Sequence, residues 1–107
     1  MEGFPVNFQQ IFEQAQQIQE RVEAVHKDLD ARTIEAGAGG GMVIVKVTGT
    51  GTIRSVKIDP EIFGSGDIEM VQDLVCAAVN EGLKKAKELG KAELGKITGG
   101  MPIPGFS

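Results

Sequence analysis

The feature that most constrains this chain is an apolar stripe that runs without interruption through its first third. Apolar residues recur there at alternating spacings of four and three, which is typical of one face of an α-helix. The members are Ile11, Ala15, Ile18, Val22, Val25 and Leu29, with Phe8 and Phe12 extending the stripe upstream. About 24 residues pass without Gly or Pro, so the pattern predicts a helix roughly 36 Å long.

The start of this helix is marked by Asn7, because Gln10 follows at the third position as in a capping box. Val6, just before it, is a candidate for the hydrophobic staple. A chain of 107 residues buries only a modest core. A helix of this length overhangs such a core, so we predict that part of its stripe meets a second subunit or another long helix, and that the protein is a homodimer.

Three short strands are predicted after the helix. The segments are a strand at 32–35, a flexible glycine-rich loop at 36–41, a strand at 42–48, a hairpin-like turn at 49–51 and a strand at 52–58. The middle strand is the clearest, because Val43, Val45 and Val47 alternate with residues of the other face. In the last strand the alternation of apolar and polar residues shifts out of register, which indicates a β-bulge near Arg54. Pro60 then ends the predicted antiparallel sheet.

A second long helix is predicted from Asp67, a suitable N-cap after a Gly-Ser-Gly segment. One side of this helix is apolar, and Gly82 on that side allows close approach of a neighbour. The chain is thus expected to be an α+β protein with one domain at 7–98. Residues 1–6 are expected to be a flexible N-terminus, and residues 99–107 a Pro/Gly-rich tail.

Composition and the scarcity of reactive residues exclude several functional classes. Hydrophobic residues make up 41% and charged residues 24%, as in ordinary globular domains. There is no basic leader and no apolar run of roughly 18 residues, so we expect a cytoplasmic protein without membrane contact. With one Cys (Cys76) and one His (His26), no metal motif or catalytic constellation is recognisable. We expect no enzyme activity, no cofactor and no small-molecule substrate.

The glycine-rich loop superficially suggests a phosphate cradle. No Lys followed by Ser or Thr comes after it, however, and the next element is a strand instead of a helix. A hairpin connection is therefore the preferred interpretation.

Charge is distributed unevenly along a chain whose net charge is −4. Residues 1–83 carry 6 basic and 13 acidic side chains, and residues 84–107 carry 5 and 2. Lys84, Lys87 and Lys91, which we name the lysine stripe, share one side of the second helix opposite its apolar face, and Lys85 lies at the border of that face. They are candidates for contacts with phosphates.

A plainer interpretation of these lysines is a solvated helix face, because Lys84 and Lys85 stand four residues from Glu88 and Glu81. From the residues alone this interpretation is the favoured one. Arg21, Lys27 and Arg32 form a candidate basic edge on the first helix, where acidic residues surround them.

Five segments in order resemble the YbaB/EbfC family of bacterial nucleoid-associated proteins. They are the Gln-rich segment 12–20, Val-Lys-Val-Thr-Gly at 45–49, Val-Lys-Ile-Asp-Pro at 56–60, Asp-Leu-Val-Cys-Ala-Ala-Val-Asn at 73–80 and Gly-Met-Pro-Ile-Pro-Gly-Phe at 100–106. The resemblance covers nearly the whole chain. The chain departs from the usual pattern in its glycines at 39–41 and in the Gly-Ser-Gly linker at 64–66.

The resemblance implies an intertwined homodimer whose sheets join and whose long helices project as arms that hold duplex DNA. It favours DNA contact through the lysine stripe, Lys85 and the basic edge, and a role in chromosome organisation or gene regulation. The joined sheets would add Val43, Val45 and Val47 to the dimer interface formed by the α-helical stripe. The alternative is a dimeric adaptor that binds another protein, which the acidic pI of about 4.9 favours.

Overall fold

The computed structural model of the protein describes residues 7–98. The predictions for the N-terminal segment, the Val6 staple, the tail and the motif at 100–106 lie outside these described residues. The elements in chain order are α1 (Phe8–Ala31), β1 (Thr33–Ala38), β2 (Val43–Thr48), β3 (Ile53–Ile58), α2 (Pro60–Phe63) and α3 (Ile68–Thr98). The predicted α+β class and the order of long helix, antiparallel meander and long helix are confirmed.

Both long helices begin at the predicted caps. The Asn7 carboxamide Oδ1 accepts a hydrogen bond from the Gln10 N–H at 3.2 Å, and the Asp67 carboxylate accepts one from the Met70 N–H at 3.0 Å. Each bond satisfies a backbone donor that has no partner inside the helix. α3 then continues through Gly90 and Gly95 to Thr98, so neither glycine ends it.

The sheet has the order β1-β2-β3 with antiparallel pairing, and β1 is longer than the sequence predicts. Residues 36–38, expected in the loop, pair with β2, and Ala36 lies opposite Val45. This part of the loop prediction was wrong, because small residues fit beneath α3 and gain ladder hydrogen bonds there. The turn between β1 and β2 is therefore shorter than the predicted loop and comprises residues 39–42. Gly39, Gly40 and Gly41 have φ of 65°, 68° and 94° there.

The irregularity predicted in β3 is present at the expected place. Lys46 pairs with Ser55 and Val47 pairs with Ile53, so Arg54 is the extra residue. After β3 the chain forms α2, a single turn that the sequence analysis missed. Asp59 caps it through a 2.9 Å bond from the Glu61 N–H, with Pro60 at the first helical position.

The core lies between the sheet and the first half of α3. Val43, Val45 and Val47 are fully buried there, with Ala36 and Ala78 beside them. A Cβ on Gly82 would lie 3.0 Å from Val45 Cγ2, which confirms the predicted close approach. The three valine side chains are thus enclosed within one chain. Their predicted place in a dimer interface stays a prediction.

Within residues 7–98, α1 is attached to the other elements only near its C-terminal end. Leu29 is buried, and its carbonyl accepts a 2.8 Å hydrogen bond from the Gly49 N–H in the turn after β2. Val22 and Val25 are half-buried, whereas residues 8–21 are exposed throughout. The molecule is accordingly elongated, with extents of 77, 21 and 16 Å.

No helix within the described part of the chain combines the length and the apolar character that a bilayer span requires.

Candidate nucleic-acid interface

The C-terminal part of α3 is the most basic part of the described structure. Residues 84–98 carry five lysines and two glutamates, and all five lysines are exposed. They are exposed because the opposite side of this part of α3 is the one that packs against the protein. Its small and apolar residues are buried there, namely Ala86, Gly90 and Leu94. The helix therefore leaves its long cationic side chains in solvent, where an extended anion can approach them.

The lysine stripe carries no ion pair with any carboxylate of the described residues. The pairs that would define an ordinary solvated face, Lys84 with Glu88 and Lys85 with Glu81, are not among its contacts. Lys85 instead donates a 3.4 Å hydrogen bond to the Glu35 carbonyl at the edge of the sheet. Within residues 7–98 the three stripe ammonium groups are thus open to an external anion.

The basic edge predicted on α1 is less uniform. Arg32 makes ion pairs with Asp28 at 2.8 Å and with Glu93 at 3.5 Å, and Lys96 also contacts Glu93 at 3.2 Å. The ion pair with Glu93 connects Arg32, at the end of α1, with α3. Arg21 and Lys27 are exposed and form no ion pair with the described residues, but α1 contains five acidic side chains beside them.

Lys87 lies closer to α1 than the helical wheel predicts. With His26 it borders a cleft between α1, α3 and the β2–β3 turn, which has a volume of about 300 Å³ and which we name the junction groove. Val22, Leu29, Leu83 and Leu94 line its apolar part. Lys87 is therefore at the margin of the surface that packs on α1, whereas the sequence placed it opposite the apolar face.

The apolar stripe of α1 is divided between two environments. Leu29 is buried in its own chain and Val22 and Val25 are half-buried, but Ala15 is exposed and Ile11 and Ile18 are 51% and 49% exposed. The upstream side chains Phe8 and Phe12 are more open still, at 68% and 72%. Within residues 7–98 nothing covers this contiguous helical face.

A second group of exposed apolar side chains was not predicted. Phe63 in α2 is 72% exposed and Ile68 at the start of α3 is 69% exposed. On a helical wheel Ile68 falls on the apolar side of its helix, and no sequence pattern assigns a role to Phe63. Neither residue carries a local signal that separates an exposed apolar position from a buried one.

The remaining candidates show no arrangement for chemistry. Cys76 is exposed, with the Asn80 amide nitrogen 3.6 Å from its Sγ. The glycine-rich segment forms the β1–β2 turn. Among residues 7–98 there is no group of three or more His, Cys, Asp and Glu that could hold a metal ion.

Comparison with known proteins decides the family. The model of the YbaB/EbfC DNA-binding family matches residues 3–101. The chain belongs to this family. The match includes both long helices and the whole sheet, so the family is shown for the complete architecture and not for one motif.

Curated relatives are similar over almost the same length. A nucleoid-associated protein of Acetivibrio thermocellus is 48% identical over 105 residues, covering 97% of this chain and 93% of that protein. One of Syntrophobacter fumaroxidans is 46% identical over 94 residues, covering 88% and 86%. A third, of Alkaliphilus metalliredigens, is 44% identical over 106 residues, covering 99% and 92%.

A solved structure supports the same fold. The crystal structure of an uncharacterized protein from Helicobacter pylori superposes with a TM-score of 0.79 and covers 88% of this chain and 99% of that one. Its sequence identity is 22%. The architecture of this YbaB/EbfC chain is therefore found at low sequence identity.

Proposed function

We propose that the protein is a bacterial nucleoid-associated protein that acts in the cytoplasm as a homodimer. It binds duplex DNA mainly through the phosphate backbone and serves chromosome organisation or gene regulation. The observation that carries this proposal is the lysine stripe, which is exposed and without ion pairs to the described residues in a chain of a DNA-binding family. The names of the curated relatives support the nucleoid association.

Phosphate contact follows from the chemistry of the stripe. Lysine ammonium groups are point charges on flexible stems, and they neutralise phosphates without reading base edges. The described residues offer only Phe8, Phe12 and Phe63 as aromatic side chains, and none of them lies on the basic part of α3. A stacking platform for unpaired bases is thus not provided there, which favours the regular phosphate array of duplex DNA.

The open apolar face of α1 supports the proposed dimerisation. Four large side chains, Phe8, Ile11, Phe12 and Ile18, are about half or more exposed on one helix. Their burial by a second copy would stabilise the pair by roughly 1.5–3 kcal/mol for each fully buried side chain. The edge strands β1 and β3 each have one side unpaired within the described sheet, which joined sheets would use. A dimer doubles the number of lysine stripes on the particle.

The test is DNA binding by fluorescence anisotropy as a function of salt. Unrelated duplexes should bind with similar affinity, and log K should fall with log salt by about 0.9 for each neutralised phosphate. Changing Lys84, Lys87 and Lys91 together to Gln should lower both the affinity and this slope. Helix content and dimer mass should be unchanged, because all three side chains are exposed.

The matched control changes three cations of the sheet, Lys46, Arg54 and Lys57, to Gln. The net charge falls by the same amount, but Lys46 is paired with Glu35 at 3.9 Å and the three lie on another face. This variant should keep most of the wild-type salt slope. If the lysine-stripe variant also keeps that slope, the proposed DNA interface is wrong.

A dimeric adaptor is the second candidate function. It is favoured by the outer part of α1, where residues 8–20 carry two acidic and no basic side chains beside exposed apolar ones. An adaptor predicts that the dimer forms while unrelated duplexes compete poorly and the affinity for DNA depends little on the lysine stripe.

A further inference from the structure

The face of the sheet beneath α3 is not covered as far as its β3 edge. Three apolar residues of β3 pair directly with the buried valines of β2, namely Ile53, Val56 and Ile58. Directly opposed residues of an antiparallel pair project from the same face of the sheet. The valines of β2 are fully buried, whereas Ile53 and Ile58 are half-buried and Val56 is 42% exposed. The cover that α3 provides therefore ends before β3.

One flank of α3 forms a wall beside these strand residues. Val79 packs against the core together with Ile58. Leu83, one turn further along, is 38% exposed, and its Cδ2 lies 4.0 Å from the place that a Cβ on Gly51 would take in the β2–β3 turn. Strand and helix thus enclose an open apolar corner, which we name the β3 corner and which consists of Ile53, Val56, Ile58, Val79 and Leu83.

We propose that the β3 corner receives the outer part of α1, residues 8–20, from a second copy of the chain. The inference rests on the proposed homodimer and names the surface that the partner's helix would cover. The apolar stripe of α1 and the β3 corner are both open to water in one chain. An exchange of helices between two copies covers both surfaces at once, and the removal of apolar surface from water drives association.

The α1 of the same chain does not reach this corner. It is attached at Leu29 beside the β2–β3 turn, and from there it continues without Gly or Pro to Phe8. A helix without such an interruption does not fold back sharply on itself. Under a twofold axis each copy gives its stripe and receives that of the partner, so the contact is made twice and the assembly closes at two chains.

The dimensions of the two surfaces agree. The floor of the corner is as long as the stretch Val43–Val47 with which it pairs, four residue steps or about 14 Å of strand. From Ile11 to Ile18 the α1 stripe takes seven residue steps, or about 10 Å of helix, and therefore fits on the floor. A centred helix places Ala15 beside Val56 in either direction, and the small Ala15 side chain lets the helix approach the strand closely.

Uncharged polar residues border the wall of the corner. Its rim carries three exposed side chains without charge, Gln72, Cys76 and Asn80. On α1 the two acidic residues within 8–20, Glu13 and Glu20, project from the side of the helix opposite the stripe. Docking of the stripe would accordingly bury apolar surface and leave both carboxylates in water, which avoids the cost of desolvating them.

Disulfide trapping in the full chain tests the proposal. In a Cys76→Ser background, Ala15→Cys is combined with Val56→Cys, and the rate of disulfide formation is measured under mild oxidation. The matched control replaces Val56→Cys by Ser55→Cys, an exposed neighbour that projects from the other face of β3. The first pair should form a two-chain product at least about tenfold faster than the control pair, because docking raises the effective concentration of the two thiols.

The products on non-reducing denaturing electrophoresis distinguish the alternatives. A single-chain product would mean that α1 covers the corner of its own chain, and equal rates for the two pairs would mean that the corner is not the site. A two-chain product that forms equally fast from Ala15→Cys alone would mean that two α1 stripes pair with each other. Each of these results overturns the proposal.

Sedimentation of Val56→Asp provides an independent measurement. The variant should keep its circular dichroism, because Val56 is 42% exposed in one chain, while its dimer dissociation constant should rise at least about tenfold. Ser55→Asp should leave the dimer unchanged. A natural protein that sediments as a monomer contradicts the homodimer itself and this inference with it. A natural dimer that Val56→Asp does not weaken contradicts the β3 corner alone.

Discussion

The two long helices of this protein differ in how much of their apolar surface a single chain can cover. α3 lies on the sheet in its first half and against α1 in its second, so Ala78, Gly82, Ala86 and Leu94 are all buried. α1 has a stripe that is as regular, yet only Leu29 is buried and the residues up to 21 are exposed. One helix is integrated into the domain, whereas the other is attached at its end.

This difference shows that a periodic apolar stripe predicts a helix and its apolar face, but not what covers that face. For α3 the cover is the sheet of the same chain. For the outer part of α1 no described residue provides the cover, and we propose a second copy. Substitutions on the two helices and on the sheet should therefore affect two separable quantities. One is the free energy of unfolding of a single chain, and the other is the free energy of association of two chains.

The largest expected effect is on folding, from Val45→Asp in the core beneath α3. The new carboxylate would be fully enclosed opposite Gly82, with no cationic partner, so we expect a loss of at least about 4 kcal/mol in the free energy of unfolding. Far-UV circular dichroism with urea titration measures it. Ser55→Asp, on the exposed face of β3, is the control and should change stability by no more than about 0.5 kcal/mol. A folded Val45→Asp protein would show that the core is elsewhere.

The next effect is on association, from Ile18→Asp on the exposed part of the α1 stripe. We expect a folded chain whose dimer dissociation constant rises at least about 30-fold, or about 2 kcal/mol, because a charge would be buried at the seam. Sedimentation over a range of concentrations measures it. Gln16→Asp on the other side of α1 should leave the dimer intact. Unchanged association of the Ile18→Asp chain would remove α1 from the interface.

A smaller effect should distinguish the two helix caps. Asp67→Ala removes the cap of integrated α3 and should lower global stability by about 1 kcal/mol. Asn7→Ala removes the cap of α1, whose outer turns contact little else in one chain. In a monomeric Ile18→Asp background it should raise amide exchange in the first turns of α1 with little change in global stability. Equal global losses would mean that the outer part of α1 is packed within its own chain.

The smallest effects are expected at Cys76 and His26, because Cys and His are residue types that often take part in catalysis or metal binding. Cys76→Ser and His26→Gln should each change stability by no more than about 0.5 kcal/mol and leave DNA affinity nearly the same, since both side chains are exposed and neither belongs to the lysine stripe. The anisotropy titration and a melting curve measure both quantities. A loss of DNA binding in a folded variant would reveal a site that the geometry does not indicate.

The sequence by itself determined the elements whose signals are local. The caps at Asn7 and Asp67, the period of α1, the alternation in β2 and the extra residue at Arg54 all act within a few residues along the chain. Local hydrogen bonds and helical or strand periodicity are set by neighbouring residues, so these features could be predicted without knowing the fold. The order of elements followed from them, and the exposure of the lysine stripe on α3 followed from the helical repeat.

Only the tertiary structure decided which surfaces are covered. It extended β1 to Ala38 because α3 accepts small residues there, it enclosed Val43, Val45 and Val47 within one chain, and it divided the α1 stripe at Val22. It also decided that Arg32 forms ion pairs with Asp28 and Glu93. Burial and ion pairing depend on elements far apart in the chain meeting at one place, and an apolar or charged residue has the same local pattern whichever partner it finds.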